Sequence, residues 1–200
     1  MNEPLVFYFD FSSPYGFLAA REIGELAARH GREVTWKPML LGAVFKQNGM
    51  QPLMDIPLKG DYARRDLSRE ARRVGIDFRL PDSFPFASIA AARAFYWLWD
   101  RDPAAARDFG LALFERAFIA GQDISKSQSV LSVGEARGMN CEELEKALQD
   151  PALKDRLRRE VEGAIAAGVF GSPFVLVDGE PFWGYDRFPR IEGWLETGGW

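Results

Sequence analysis

The chain has 200 residues, and its 29 acidic side chains against 25 basic ones leave a net charge of −4, which argues against a nucleic-acid-binding protein. One cysteine, Cys141, and one histidine, His30, exclude an internal disulfide and leave no ligand set for a cysteine-rich or histidine-rich metal centre. No apolar run reaches the length of a bilayer span, and no basic segment precedes the short apolar run at the N-terminus, so a soluble cytoplasmic protein is expected.

Leu5 to Asp10 is almost wholly apolar or aromatic and reads as a buried strand. Phe11-Ser-Ser-Pro-Tyr-Gly16 follows. Proline is favoured as the first residue of a helix, where its missing N–H has no partner to lose. Ser13 is therefore the expected N-cap, its hydroxyl at the positive end of a helix running to about His30 and stopped by Gly31. A hydroxyl at a helix N-terminus, straight after a strand, is a place to hold an anion such as a thiolate. Val34 to Met39 reads as a second strand, which completes a βαβ unit and favours parallel pairing.

Leu40 to Pro57, with Gly42, Gly49, Pro52 and Pro57, reads as loop. From Asp61 to Gly168 the pattern is helical. Asp61 to Val74 is a basic amphipathic helix, Ser88 to Trp99 is rich in alanine and aromatics, and Pro103 to Ala120 is a long helix. Ser127 to Arg137 ends at Gly138, Asn140 with Glu143 forms a capping-box-like start, and Asp150-Pro151 opens the last helix of the block. Phe174 to Val177, the turn signal Asp178-Gly179 and Glu180 to Trp183 make a hairpin, followed by a short helix over 189–196. The arginines at 64, 65, 69, 72 and 73 read as a solvated helix face, His30 as a cation at a helix C-terminus, and Cys141 as incidental. Sixteen phenylalanines and six tryptophans point to an aromatic-rich core or pocket.

This order is that of an α/β, thioredoxin-like fold carrying a large all-helical insertion. The thioredoxin-like part is expected to be discontinuous, over 1–40 and 169–200, with the helical insertion over 41–168. Two motifs sharpen the reading: Tyr8-Phe-Asp-Phe-Ser-Ser-Pro-Tyr-Gly-Phe-Leu-Ala19, and Val169-Phe-Gly-Ser-Pro-Phe-Val-Leu-Val-Asp-Gly-Glu-Pro-Phe-Trp-Gly-Tyr-Asp-Arg187. Together they resemble the 2-hydroxychromene-2-carboxylate isomerases, DsbA-like relatives of kappa-class glutathione transferases. Leu40 to Lys46 and Leu80 to Pro85 extend the likeness through the middle of the chain.

The resemblance implies glutathione as cofactor, its sulfur held by Ser13 as the thiolate, and a homodimer acting on a small aromatic keto acid or another electrophile. It implies that the Ser172–Pro173 bond is cis, that Ser172 offers its backbone to the glutathione cysteine, and that Trp183, Gly184, Tyr185 and Asp186 meet the glutamyl end. Lys46 and Phe84 match substrate-side positions. Ser12, Ser172, Phe174 and Tyr185 depart from the family's pattern. Two other readings stay open: a kappa-like transferase, and a non-catalytic glutathione-binding module. Disulfide exchange needs a protein thiolate, and Ser13-Pro-Tyr-Gly16 puts serine and glycine where a Cys-x-x-Cys motif has its sulfurs.

Overall fold

The structure is a computed structural model that describes residues 3–200. Four strands form its sheet: β1 (Leu5–Phe9), β2 (Val34–Pro38), β3 (Phe174–Val177) and β4 (Glu180–Trp183), in the order β2-β1-β3-β4. β1 runs parallel to β2 with Phe7 opposite Trp36, and antiparallel to β3 with Phe7 opposite Val175. β3 and β4 form a hairpin, Val175 opposite Phe182. Helix α1 (Pro14–Arg29) crosses from β1 to β2, and α9 (Phe188–Thr197) closes the chain. The intervening helices are α2 (Leu41–Asn48), α3 (Lys59–Arg73), α4 (Ile89–Trp99), α5 (Pro103–Phe118), α6 (Ser127–Glu135), α7 (Cys141–Gln149) and α8 (Pro151–Ala166).

Alternation along β1 sends successive side chains to opposite faces of the sheet. On one face Phe7 and Phe9 join Trp36, Phe95 and Phe114 in a continuous aromatic core that draws in α1, α4, α5, α6 and α7. On the other face Tyr8 and Phe174 pack with α8 through Leu157 and Val161, and with Val44 of α2. Phe11, just past β1, is fully buried against Phe114, ring centroids 4.9 Å apart. Burying a phenylalanine side chain contributes about 1.5–3 kcal/mol, so the turn after β1 is anchored on both sides.

The loop expected over 40–57 is instead α2 and a short 3-10 turn at Leu53–Asp55. Leu41, Val44 and Phe45 lie at helical spacing, but no neighbouring side chain caps the helix. Its first N–H, on Leu41, donates to the carboxylate of Asp10 at 2.6 Å, 31 residues away. α3 begins at Lys59 rather than Asp61. It is launched by Leu58 at φ +67°, an uncommon and costly conformation for a leucine.

Arg32 ties the far end of the sheet together. Its buried guanidinium donates to both carboxylate oxygens of Asp178 in the β3–β4 turn, at 3.1 and 2.6 Å, and to the carbonyl of Glu3. Arg32 holds the Asp178 carboxyl below the usual aspartate range. Asp178 is half exposed, so the ion pair itself adds little. Arg32→Ala is expected to lower the unfolding free energy by about 1–2 kcal/mol through the lost hydrogen bonds and packing, read by urea titration. The ionic part of that loss should be present above the ordinary aspartate pKa and vanish as pH falls through the depressed one.

Candidate functional site: a hydroxyl at the α1 N-terminus

Ser13 caps α1 as its sequence context predicts. Its backbone is extended, and its Oγ accepts the Gly16 N–H at 3.0 Å. The same hydroxyl donates to the carbonyl of Ser172 at 3.0 Å, across 159 residues of chain. The Ser172–Pro173 bond is cis, as is Phe84–Pro85. The carbonyl of Pro173 accepts the N–H of Gly184 at 3.0 Å, which brings the segment after β4 beside the α1 turn. Gly184 sits at φ +110°, a backbone region in which a side chain is strained.

Beneath Ser13 lies Asp10, a buried residue read from sequence only as the end of a strand. Its Oδ1 accepts from the Ser12 N–H at 2.8 Å, the Ser12 hydroxyl at 2.9 Å and the Ser88 hydroxyl at 2.6 Å; its Oδ2 accepts from Leu41. Its backbone carbonyl receives the Ser13 N–H, and its own N–H donates to Ser172 Oγ. Asp10 therefore joins the turn before α1, α2, the start of α4 and the Ser172 loop at one point. Burial pushes its pKa up, and the hydrogen bonds from Ser88, Ser12 and Leu41 oppose the rise. The departure at Ser12 thus has a structural place, as a double donor to Asp10.

Ser13, Pro14, Ser172 and Pro173 line a cavity of about 1250 Å³. Trp183, Gly184, Tyr185, Asp186 and Phe84 line it too, so these expected positions gather at one opening. Trp183 is 52% exposed, an unusual state for tryptophan. Asp186 is exposed, 3.6 Å from Arg187. Tyr185 is buried; its hydroxyl donates to Glu22 of α1 at 2.5 Å and accepts from Arg73 of α3 at 2.8 Å. Burial, then Glu22, raises its pKa. Its hydroxyl is thereby committed to fastening two helices. Phe174 is buried behind the sheet against Phe170 and does not reach the cavity.

Lys46 lies on the exposed side of α2, and its neighbour Phe45 lines the cavity in its place. The basic residue that does line the cavity without an ion partner, among the described residues, is Lys59 at the start of α3. Sequence pattern gave no sign of it, because its position depends on the turn at Leu58. Arg29, Arg73 and Arg187 also line the cavity but are paired with carboxylates. Tyr15 donates to Asp66 at 2.7 Å, so burial and that carboxylate raise its pKa strongly. Met50, Leu53 and Tyr62 form an exposed apolar rim. Cys141 is on α7, outside the cavity lining, with its Sγ 3.7 Å from the Leu131 carbonyl.

A helix-capping hydroxyl bonded to a cis-proline loop at the wall of an open cavity defines a thioredoxin-type site from which the protein thiols are missing. Residues 4–196 match the DSBA-like thioredoxin domain, and the chain belongs to that family. It is similar to the 2-hydroxychromene-2-carboxylate isomerase of Sphingobium xenophagum, 27% identical over 98% of this chain and 99% of that protein. It is also similar to glutathione S-transferase kappa 2 of Caenorhabditis elegans, 28% identical over 94% of this chain and 90% of that protein. A solved structure of a 2-hydroxychromene-2-carboxylate isomerase superposes with a TM-score of 0.86, at 27% identity, over 96% of this chain and 94% of that one. The sheet and helix order are those of the thioredoxin-like DsbA fold. Among the described residues no helix is long and apolar enough to cross a membrane.

Proposed function

We propose that this protein is a glutathione-dependent cis–trans isomerase of an aromatic keto acid, of the 2-hydroxychromene-2-carboxylate isomerase type. The observation that carries the proposal is the Ser13 hydroxyl at the α1 N-terminus, bonded to the Ser172 carbonyl on the wall of a cavity whose lining, among the described residues, includes no cysteine. The residues present fit a small thiol peptide. The helix N-terminus favours an anionic sulfur. Lys59 offers an unpaired cation to a carboxylate of the tripeptide, and the exposed Asp186 offers an anion to its ammonium group.

When bound, glutathione supplies a thiol whose anion adds reversibly to a conjugated carbon of the substrate, so that a double bond becomes a rotatable single bond. A free thiol ionises near a pKa of ~8.5, and a helix N-terminus can bring a thiol to roughly 3.5–7.5. Ser13 and the dipole of α1 thus hold the sulfur charged at neutral pH. Ser13 serves as a hydrogen-bond donor, since no histidine lies at the site to act as its base. The apolar rim of Met50, Leu53, Tyr62 and Phe84 receives the aromatic body of the substrate.

The test is turnover of 2-hydroxychromene-2-carboxylate with and without glutathione, with the thiol assayed afterwards. Turnover that requires glutathione and leaves it intact supports the isomerase. Loss of one glutathione per product marks a kappa-like transferase, the reading that likeness to the nematode protein favours. Failure to bind glutathione in calorimetry overturns both. Lys59→Met is expected to weaken glutathione binding about tenfold, the scale of one charge-assisted hydrogen bond, with little change in unfolding temperature. Tryptophan emission, to which Trp183 on the cavity wall contributes, should report that titration.

A further inference from the structure

Ser172 brings a second hydroxyl to the α1 N-terminus. Its Oγ accepts the backbone N–H of Asp10 at 3.0 Å, and its own proton has no acceptor in the protein among the described residues. Ser13 is differently placed: its proton is already donated to the Ser172 carbonyl, and its Oγ already accepts from Gly16. The two oxygens border one spot. A Cβ built on Gly16 would lie 2.8 Å from Ser172 Oγ and 3.2 Å from Ser13 Oγ. Gly16 itself is buried and off the cavity lining, so that point marks how near the two oxygens lie to each other; the two serines themselves line the cavity.

We propose that Ser172 is a second donor to the ligand's sulfur, so that the anion sits between two serine hydroxyls. The inference rests on the glutathione reading above. Ser13 must release the Ser172 carbonyl before it can donate to a sulfur, whereas Ser172 gives up no protein contact to do so. The Asp10 N–H fixes one lone pair of Ser172 Oγ and leaves the O–H free to turn toward the cavity. The thiol's own proton passes to solvent water as the anion forms. Two donors and the helix dipole converge on a single charge, and such charge-assisted bonds are the strong ones.

Ser172→Thr and Ser172→Val test this as a matched pair, because the two side chains differ only in hydroxyl against methyl. The readout is the ultraviolet absorbance of bound glutathione thiolate against pH. S172V is expected to raise the pKa of the bound thiol by about one unit, a tenfold change in its ionisation constant, with S172T staying close to wild type. A purely structural role, as acceptor for Asp10, would lower the unfolding temperature of S172V and leave the thiol's pKa unmoved. Equal thiol pKa values in wild type, S172T and S172V would overturn the proposal while glutathione binding stands. Absence of any bound thiolate in wild type would overturn the glutathione reading and this proposal together. If S172V does not fold, S172A supplies the hydroxyl-free arm against the same S172T control.

Discussion

Ser13→Ala should lower kcat/KM for the proposed glutathione-dependent reaction by about 100- to 1000-fold, the usual consequence of removing one donor from a developing or resident anion. The substitution removes one hydroxyl and nothing else from the cavity wall. Two protein contacts go with it, the cap on the Gly16 N–H and the bond to the Ser172 carbonyl, and with the second goes the one proton that a bound sulfur would take over. Loss of the cap costs about 1 kcal/mol of stability, which is too little to unfold a chain of this size. The stability and activity effects therefore separate cleanly. The thiolate absorbance of bound glutathione should titrate at higher pH in S13A, and the activity profile should move with it. Wild-type turnover in S13A would sink the assignment of Ser13.

Asp10→Ala is expected to be the most destabilising single change near the site. It leaves the backbone N–H groups of Ser12 and Leu41 and the hydroxyls of Ser12 and Ser88 without their common acceptor. The hydroxyls can turn elsewhere, but the two backbone donors cannot, so the loss is about 3–4 kcal/mol and about 10 °C in unfolding temperature. Asp10→Asn keeps the shape and gives a pH test. The folded-state pKa of Asp10 is raised, so the folded protein holds this proton more tightly than the unfolded chain. The ionisation-linked contribution is then fully present below the ordinary aspartate pKa and is lost as pH rises through the raised value. The stability advantage of wild type over D10N should shrink along that climb. An advantage that grows with pH would mean that the hydrogen bonds outweigh burial.

What was legible in the sequence is what local chemistry decides. Ser13-Pro14 announces a capped helix, the apolar run before it a buried strand, and Asp178-Gly179 a hairpin. Each signal acts over a few residues; the hairpin strands appear at the expected residues, and the first strand and helix each end one residue early. Helix α2 was not legible because its cap is Asp10, which is distant in sequence. The place of Lys59 depends on a positive-φ leucine, which no propensity foretells. Ser172 was read for its backbone alone. Its hydroxyl acquires a role only once Asp10 donates to it from the other end of the chain. Tyr185 reads as a cavity residue, yet its hydroxyl is held by Glu22, which did not stand out in sequence, and by Arg73, which reads there as part of a solvated helix face.

The bond between Asp10 and Ser172 spans 162 positions, and this has a consequence for biosynthesis. One flank of β1 has no strand to pair with until β3 has left the ribosome, after most of the chain has been made. Until then Leu5 to Phe9 offers an apolar edge to any other extended segment nearby, the kind of template from which aggregates grow. Pairing β1 with β3 is also the slow step in building the sheet, because closure of a long stretch of chain must precede its reward. Chaperone dependence during expression, greater in chains truncated before β3 than in the full chain, is the expected outcome for a site assembled from the two ends of its polypeptide.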